Sequence, residues 1–98
     1  MVTQLRIYTI KRGQLDAFVD AWKAGVYPLR LQHGYGIPAA WVNRERTEFI
    51  WLLTYDGPEP FADKERAYYA SAERAAVDPD PRQYIAQTNQ YFLTPVLA

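Results

Sequence analysis

The segment TEFIWLLTY, from Thr47 to Tyr55, is the clearest strand in the sequence, and the other elements are assigned on either side of it. It is rich in β-branched and aromatic residues, a composition typical of a strand. Successive side chains of a strand point to opposite faces of the sheet. One face of this strand therefore carries Phe49, Trp51 and Leu53, and the other carries Ile50 and Leu52. The segment is predicted to be apolar on both faces, so each face needs a covering layer.

On the N-terminal side of this strand, three patterns predict a strand, a helix and a second strand. Residues 2–10 alternate between polar and apolar as a strand does. From Gln14 the period lengthens to that of an amphipathic helix, with an apolar stripe made of Leu15, Phe18, Val19, Trp22, Val26 and Leu29. Gly25 and Pro28 predict that this helix kinks or ends near them. A glycine-marked turn over 33–36 and a strand over 37–42 follow, and a charged hairpin over 43–46 leads into TEFIWLLTY.

On its C-terminal side, a helix and a strand are predicted. Asp56 is a candidate N-cap with Glu59 three residues later, so we expect a helix from there to about Ala76. Its apolar stripe is thin. The run 78–81, Asp-Pro-Asp-Pro, predicts that the helix has ended before it. Residues 83–93 alternate loosely and are predicted to form the last strand.

The order strand, helix, strand, strand, helix, strand predicts a ferredoxin-like βαββαβ fold in the α+β class. Its four-stranded antiparallel sheet carries both helices on one face, and we assign residues 1–98 to a single domain. The other sheet face would then expose a contiguous apolar patch, which a monomer rarely tolerates. A second copy packed face to face would cover it, so a homodimer is predicted.

Composition narrows the function classes. Lysine plus arginine and aspartate plus glutamate each number 11, so no net field draws the chain to nucleic acid. No apolar run approaches the roughly 20 residues of a membrane span, and the N-terminus lacks the apolar stretch of a signal peptide. Cysteine is absent, which excludes disulfides and thiol chemistry and fits a reducing compartment. We therefore predict a cytoplasmic protein with no nucleic-acid or membrane partner.

Four segments together resemble the NIPSNAP-like domain of the dimeric α+β barrel superfamily. They are LRIYTIKRGQLDAFVDAWKAGVYPL, QHGYGIPAAWV, EFIWLLTYDG and AYYASAE, which cover roughly residues 5–76 in the right order. The resemblance implies a homodimer whose two sheets form a barrel, with a cleft between sheet and helices in each subunit. Relatives in the superfamily include cofactor-free quinone-forming monooxygenases, polyketide cyclases, dehalogenases, isomerases and haem-degrading enzymes.

His33 and Tyr8 are the catalytic candidates. His33 is the only histidine, and histidine alone has an ordinary side-chain pKa near neutrality, so it could act as a general base. The alternative is a solvated histidine at a helix end, where the dipole favours an imidazolium. Tyr8 could supply the positioned hydroxyl that oxygenation of an activated phenolate needs. A metal site made of two histidines is impossible in this sequence.

Arginine and aromatic side chains are the ligand-binding candidates. An apolar pocket with a few indole and hydroxyl donors suits a planar aromatic or polyketide-like ligand. The candidates are Arg6, Trp22, Val26, Trp41, Trp51, Tyr68 and Tyr69. Core and dimer packing is the alternative for the tryptophans. For Arg6 the alternatives are an anion clamp for a substrate carboxylate or phenolate, and a cross-strand ion pair with Glu48 on the neighbouring strand. Of the two tyrosines, adjacent on one helix, only one is expected to face the sheet.

No phosphate-binding loop, nucleotide fingerprint, nucleophile elbow or metal-ligand cluster is present in the sequence. We therefore predict a small-molecule enzyme or binder that acts without a cofactor on a hydrophobic aromatic or polyketide-like compound, of monooxygenase, cyclase or isomerase type. The alternative is a non-catalytic dimerising module that binds a protein partner or a regulatory ligand.

Overall fold

The computed structural model describes residues 1–97, which form an antiparallel sheet with the helices on one face. The strands are β1 (Val2–Ile10), β2 (Tyr35–Gly36), β3 (Ala40–Asn43), β4 (Glu48–Tyr55) and β5 (Ile85–Phe92). The helices are α1 (Leu15–Ala21), α2 (Tyr27–Gln32), α3 (Phe61–Ala70) and α4 (Ala72–Ala75), with a π-helical turn (Trp22–Val26) and a 3₁₀ turn (Pro81–Tyr84). The short strands β2 and β3 both pair with β4, β4 pairs with β1, and β1 pairs with β5. This order is the predicted ferredoxin-like arrangement.

The side chains of β4 alternate between the two faces of the sheet, as its sequence predicts. Every second residue, Phe49, Trp51, Leu53 and Tyr55, is buried beneath the helices, and the residues between them are half-buried on the other face. The register with β1 places Arg6 opposite Trp51, so the arginine also points towards the helices. The predicted ion pair between Arg6 and Glu48 is therefore wrong, because Glu48 lies on the other face. It pairs with Arg46 at 3.3 Å.

The face of the sheet away from the helices is apolar and uncovered in a single chain. Four aliphatic side chains from β1 and β4, paired across the ladder, form its centre: Leu5, Ile7, Ile50 and Leu52. Two aromatic side chains flank them. Trp41 on β3 lies opposite Ile50, Tyr91 on β5 lies opposite Leu5, and each is 52% exposed. The patch is as contiguous as the sequence predicts.

The first helical segment does not end at Gly25 or Pro28 but continues to Gln32, with an irregular turn at the place where the sequence predicts a kink or an end. A π-helical turn over Trp22–Val26 joins α1 to α2 and absorbs the irregularity. This wider turn accommodates Pro28, which has no N–H to donate. Gly25 is required by a close approach, since a Cβ there would lie 2.6 Å from Cγ1 of Val77. The buried stripe of Leu15, Phe18, Trp22, Val26 and Leu29 is as predicted.

Three boundaries differ from the predictions. Tyr35 and Gly36 were expected in a turn but form β2, and the predicted strand over 37–42 is observed as β3, Ala40–Asn43. The second helix begins at Phe61 with Pro60 as N-cap, so Asp56 does not cap it, and it breaks at Ser71, whose φ of −69° and ψ of 147° are extended. Gln83 and Tyr84 belong to the 3₁₀ turn, so the last strand begins at Ile85.

The core between sheet and helices is aromatic. Phe18 packs edge-on against Phe49 at 4.9 Å between ring centroids, and Trp22 lies 5.3 Å from Trp51. In contrast, α3 buries only Tyr68, so apolar packing alone holds it weakly. Among residues 1–97, no helix is long and apolar enough to cross a membrane.

Two leucines of α2 provide a matched test of this packing. Leu29 is 8% exposed within the core, whereas Leu31, on the same helix, is 43% exposed. Leu29→Ala should lower the free energy of unfolding by about 2–5 kcal/mol, because it removes buried methyl groups and leaves a cavity. Leu31→Ala should change it by under about 1 kcal/mol. Urea denaturation measures both, and equal losses would contradict the assignment of the two faces of α2.

Candidate functional site

A small cavity lies where the first helical segment, α3 and the 3₁₀ turn meet the sheet. Its volume is about 20 Å³, which is enough for one water molecule. The lining side chains are Tyr8, Phe18, Trp22, Val26, Arg30, Trp51, Tyr68, Tyr69, Arg74, Pro81, Arg82 and Ile85. Two of them are open to solvent, Tyr69 at 41% exposed and Arg82 with a side chain 60% exposed, so these two form the mouth of the cavity.

Most of the residues singled out in the sequence come together here. The lining includes Tyr8, Trp22, Val26, Trp51, Tyr68 and Tyr69. As expected, only one of the adjacent tyrosines faces the sheet: Tyr68 is 1% exposed, whereas Tyr69 borders the mouth. Trp41, Arg6 and His33 are not in the lining, and Trp41 lies on the opposite sheet face, so it cannot contact a ligand in this cavity.

His33 lies outside the cavity. It is the C-cap of α2, and its Nε2 is 3.4 Å from a carboxylate oxygen of Glu73, which is itself mostly exposed. The imidazole contacts the far side of Tyr68, edge-on at 5.3 Å. His33 instead borders a shallow, open depression together with Gln32, Gly34, Lys64 and Glu73. This position agrees with the helix-end alternative for His33.

Beside the cavity, two buried arginines share one carboxylate. Arg6 is 2% exposed and Arg30 is 1% exposed. Arg6 donates from Nη2 to Oε1 of Glu65 at 2.5 Å, and Arg30 donates from Nη1 to Oε2. Arg30 also donates to the Tyr69 hydroxyl at 3.1 Å, and Arg6 approaches the Tyr8 hydroxyl at 3.4 Å. This cluster ties α3 to α2 and β1.

The protonation states of this cluster are fixed around neutral pH. Burial alone would raise the pKa of Glu65, but the charges and hydrogen bonds of Arg30 and Arg6 outweigh it, so the pKa lies below its usual value. Burial raises the pKa of Tyr8, although Arg6 opposes the change. Glu65 is therefore a poor general base, and Tyr8 stays a neutral hydroxyl that can donate a hydrogen bond.

Arg74 forms a second charged group on the other side of Tyr69. It is 3% exposed, and its Nη2 donates to Oδ1 of Asp80 at 3.0 Å. Arg82 holds the other carboxylate oxygen of Asp80 at 2.9 Å. Burial would raise the pKa of Asp80, but the hydrogen bonds from the two arginines lower it to about 2. The guanidinium carbons of Arg74 and Arg82 both lie 5.7 Å from the centroid of the Tyr69 ring.

Several buried donors around the cavity have no acceptor among residues 1–97. They are Nε1 of Trp22, Nε1 of Trp51, the hydroxyl of Tyr68, Nε of Arg30, and Nε and Nη1 of Arg74. All belong to side chains that line the cavity. Buried polar groups are nearly always hydrogen-bonded, so each of these atoms requires an explanation.

Sequence reasoning missed Arg30, Glu65 and Arg74. Arg30 continues the buried stripe at one-turn spacing from Trp22 and Val26, and Glu65 precedes Tyr68 and Tyr69 by one turn. That spacing was the available signal, but charged residues are mostly exposed and an arginine on a stripe usually lies at its edge. Within residues 1–97, no cluster of three or more histidine, aspartate or glutamate side chains could hold a metal ion.

The depressed carboxylate pKa values predict acid sensitivity. The pKa of Glu65 lies below 4.5, and that of Asp80 is lowered from 3.8 to about 2. Each carboxylate contributes stability that is complete above its unfolded pKa and is lost as pH falls through its folded pKa. The free energy of unfolding should therefore drop from about pH 5 to about pH 2. Asp80→Asn should make this decline shallower, whereas Glu45→Gln in the exposed hairpin should not. Urea unfolding at stepped pH checks this, and an Asp80→Asn slope equal to the wild type would contradict it.

Known structures share this fold. No family model matches the chain, and no curated protein matches it. A NIPSNAP domain protein from Burkholderia xenovorans is 18% identical, with 97% of this chain and 94% of that chain covered at a TM-score of 0.82. A NIPSNAP family protein from Agrobacterium tumefaciens is 14% identical, with 96% of this chain and 91% of that chain covered at a TM-score of 0.83. A putative antibiotic biosynthesis monooxygenase from Nitrosomonas europaea is 11% identical, with 97% of this chain and 89% of that chain covered at a TM-score of 0.71. The predicted resemblance is confirmed at the level of the fold: this chain has the ferredoxin-like α+β fold of NIPSNAP-domain proteins.

Proposed function

We propose that this protein is a homodimer that binds a small aromatic compound at the cavity beneath α3. The observation that carries the proposal is the lining itself, in which aromatic rings surround a cavity that opens between Tyr69 and Arg82. Such walls, with a few polar groups among them, are typical of sites for planar apolar ligands. The cytoplasmic location and the absence of nucleic-acid partners stay predictions from composition.

The bound ring must displace side chains at the mouth. At about 20 Å³ the cavity holds a single water-sized group, whereas a benzene ring needs a cavity of about 150 Å³. The exposed residues Tyr69 and Arg82 are the ones that can move, and their outward rotation breaks the hydrogen bond from Arg30 to the Tyr69 hydroxyl and the contact of Arg82 with Asp80. The buried wall of Trp22, Trp51 and Tyr68 stays in place.

Of the three reaction types expected from the sequence, cofactor-free monooxygenation suits this site best. The cationic side chain of Arg74 lines the cavity and favours a phenolate over a phenol. A phenolate can donate electrons directly to dioxygen. The carbon para to the hydroxyl gains one oxygen atom as a carbonyl, and the other oxygen atom leaves as water with the two hydrogens lost by the phenol. Among structures of this fold, the similarity to putative antibiotic biosynthesis monooxygenases supports this chemistry.

A non-catalytic, ligand-binding dimer is the second candidate, favoured by one observation. The space between sheet and helices is already filled by the protein's own aromatic side chains, and only about 20 Å³ remains. Cyclases and isomerases need a group that transfers protons near neutral pH, and the lowered pKa of Glu65 and the raised pKa of Tyr8 disfavour both residues for that task.

Turnover of an electron-rich phenol separates the two candidates. With 1-naphthol, the monooxygenase proposal predicts oxygen uptake and naphthoquinone in equal amounts without added flavin or metal. Tyr8→Phe should lower the rate by about 10²-fold, because it removes a hydroxyl at the reacting ring. His33→Asn, outside the cavity, is the control and should leave the rate unchanged. Binding of 1-naphthol without oxygen uptake would establish the second candidate, and a rate loss only in His33→Asn would restore the histidine as catalyst.

The homodimer is proposed on the apolar outer face of the sheet. Leu52→Lys places a charge at the centre of that patch and should give monomer or aggregate. Leu31→Lys, on the exposed side of α2, adds the same charge elsewhere and should stay dimeric. Sedimentation equilibrium at micromolar concentration measures both. A wild-type protein that is monomeric under these conditions would contradict the proposal.

A further inference from the structure

We propose that the cavity binds the carboxylate group of its ligand, held by the indole N–H groups of Trp22 and Trp51 and by the guanidinium of Arg74. The inference rests on the proposed function and specifies its ligand as a small aromatic carboxylate. The carboxylate lies at the bottom of the cavity, and the ring lies at the mouth against Tyr69.

The donors around the cavity outnumber the hydrogen bonds that a single water molecule can accept. Trp22 Nε1, Trp51 Nε1 and Arg74 Nη1 are pure donors, and none has an acceptor in the part of the chain described. A water molecule in a space of about 20 Å³ can accept at most two hydrogen bonds, because its oxygen has two lone pairs. A carboxylate has two oxygens with about four acceptor positions, so it can satisfy all three donors.

The hydroxyl of Tyr68 strengthens the same conclusion. It also lacks a partner among residues 1–97 and is buried at the cavity. Burial raises the pKa of Tyr68, so its hydroxyl keeps its proton and acts as a fourth donor. Together with Trp22, Trp51 and Arg74, Tyr68 gives four donors that a bound carboxylate can satisfy.

Charge around the cavity points to the same ligand. Four guanidinium groups face two carboxylates: Arg6 and Arg30 share Glu65, and Arg74 and Arg82 share Asp80. Both carboxylates have lowered pKa values and are already ionised, so the excess of positive charge persists at neutral pH. Glu73 is the further acid nearby, but it lies beyond Tyr68 and is directed to His33. A singly charged anion reduces this excess.

The residues at the mouth of the cavity favour an aromatic ring as the group that carries the carboxylate. The ring of Tyr69 is 41% exposed and has the guanidinium groups of Arg74 and Arg82 beside it, each at 5.7 Å. A flat ring entering along this path stacks on Tyr69 while its carboxylate reaches Arg74. Benzoate is the simplest probe with both features, and benzamide has the same shape without the charge.

Indole N–H resonances in a nitrogen-15 spectrum provide the test. Benzoate should shift the signals of Trp22 and Trp51 and leave that of Trp41 unchanged, because Trp41 lies on the other face of the sheet. Benzamide should bind at least about tenfold more weakly, since hydrogen bonds to a charged group are the stronger ones.

Variants localise the binding. Arg74→Met should weaken benzoate binding by about tenfold or more, whereas Arg66→Met, on the exposed side of α3, should not. Because Arg74→Met leaves Asp80 with one partner fewer, Trp22→Phe is the second variant, which removes one donor but keeps an aromatic ring. It too should weaken benzoate binding, and the apo melting temperature of each variant reports on its fold.

The outcomes separate this inference from the proposed function. Equal binding of benzamide and benzoate, or binding of 1-naphthol but not benzoate, would overturn the carboxylate site and leave the aromatic site standing. Binding of acetate as tight as that of benzoate would support the anion site and overturn the aromatic ligand. No shift of Trp22 or Trp51 with any of these compounds would overturn both.

Discussion

The carboxylate of Glu65, held between the guanidinium groups of Arg6 and Arg30, is the interaction on which the site depends. Helix α3 buries only Tyr68, so packing does little to hold it over the sheet. The ion cluster provides the attachment instead, through one contact to β1 and another to α2. Removing one member of a buried ion cluster leaves an uncompensated charge at a cost of about 3–5 kcal/mol. The position of the cavity's outer wall therefore follows from a polar contact.

Aromatic rings make this arrangement tolerable in an apolar core. The guanidinium carbon of Arg30 lies 3.8 Å from the centroid of Tyr68 and 4.6 Å from that of Tyr35. Ring faces carry partial negative charge, so they replace part of the hydration that the buried cation has lost. Arg6 stacks similarly over Trp51 at 5.4 Å. The high aromatic content thus fills the core and also stabilises its buried cations.

The sequence predicts the fold far better than the site, for a physical reason. The two-residue period of β4 and the helical stripe from Leu15 to Leu29 are local patterns, and local patterns determine which face of an element is buried. They correctly place Trp22, Val26 and Trp51 inside. The cluster of Arg6, Arg30 and Glu65 joins three separate elements, and only the assembled fold brings them together. Trp41 lies on the opposite sheet face, outside the cavity. Its strand, β3, begins at Ala40 and not at residue 37 as predicted, and boundaries are the least reliable local prediction.

The two arginine groups around the cavity are not equivalent, and the difference determines where a ligand can gain affinity. Arg6 and Arg30 have Glu65 and tyrosine hydroxyls as acceptors, and among residues 1–97 only Nε of Arg30 in this group lacks one, so a new anion there would compete with a carboxylate already in place. Arg74 has one acceptor at Nη2 and leaves Nη1 unpaired within residues 1–97. An anion at Arg74 satisfies a donor that is otherwise unpaired, without replacing the carboxylate that Arg74 already binds. Selectivity is therefore expected to depend on Arg74 and the two tryptophans, while the Glu65 cluster maintains the shape of the cavity.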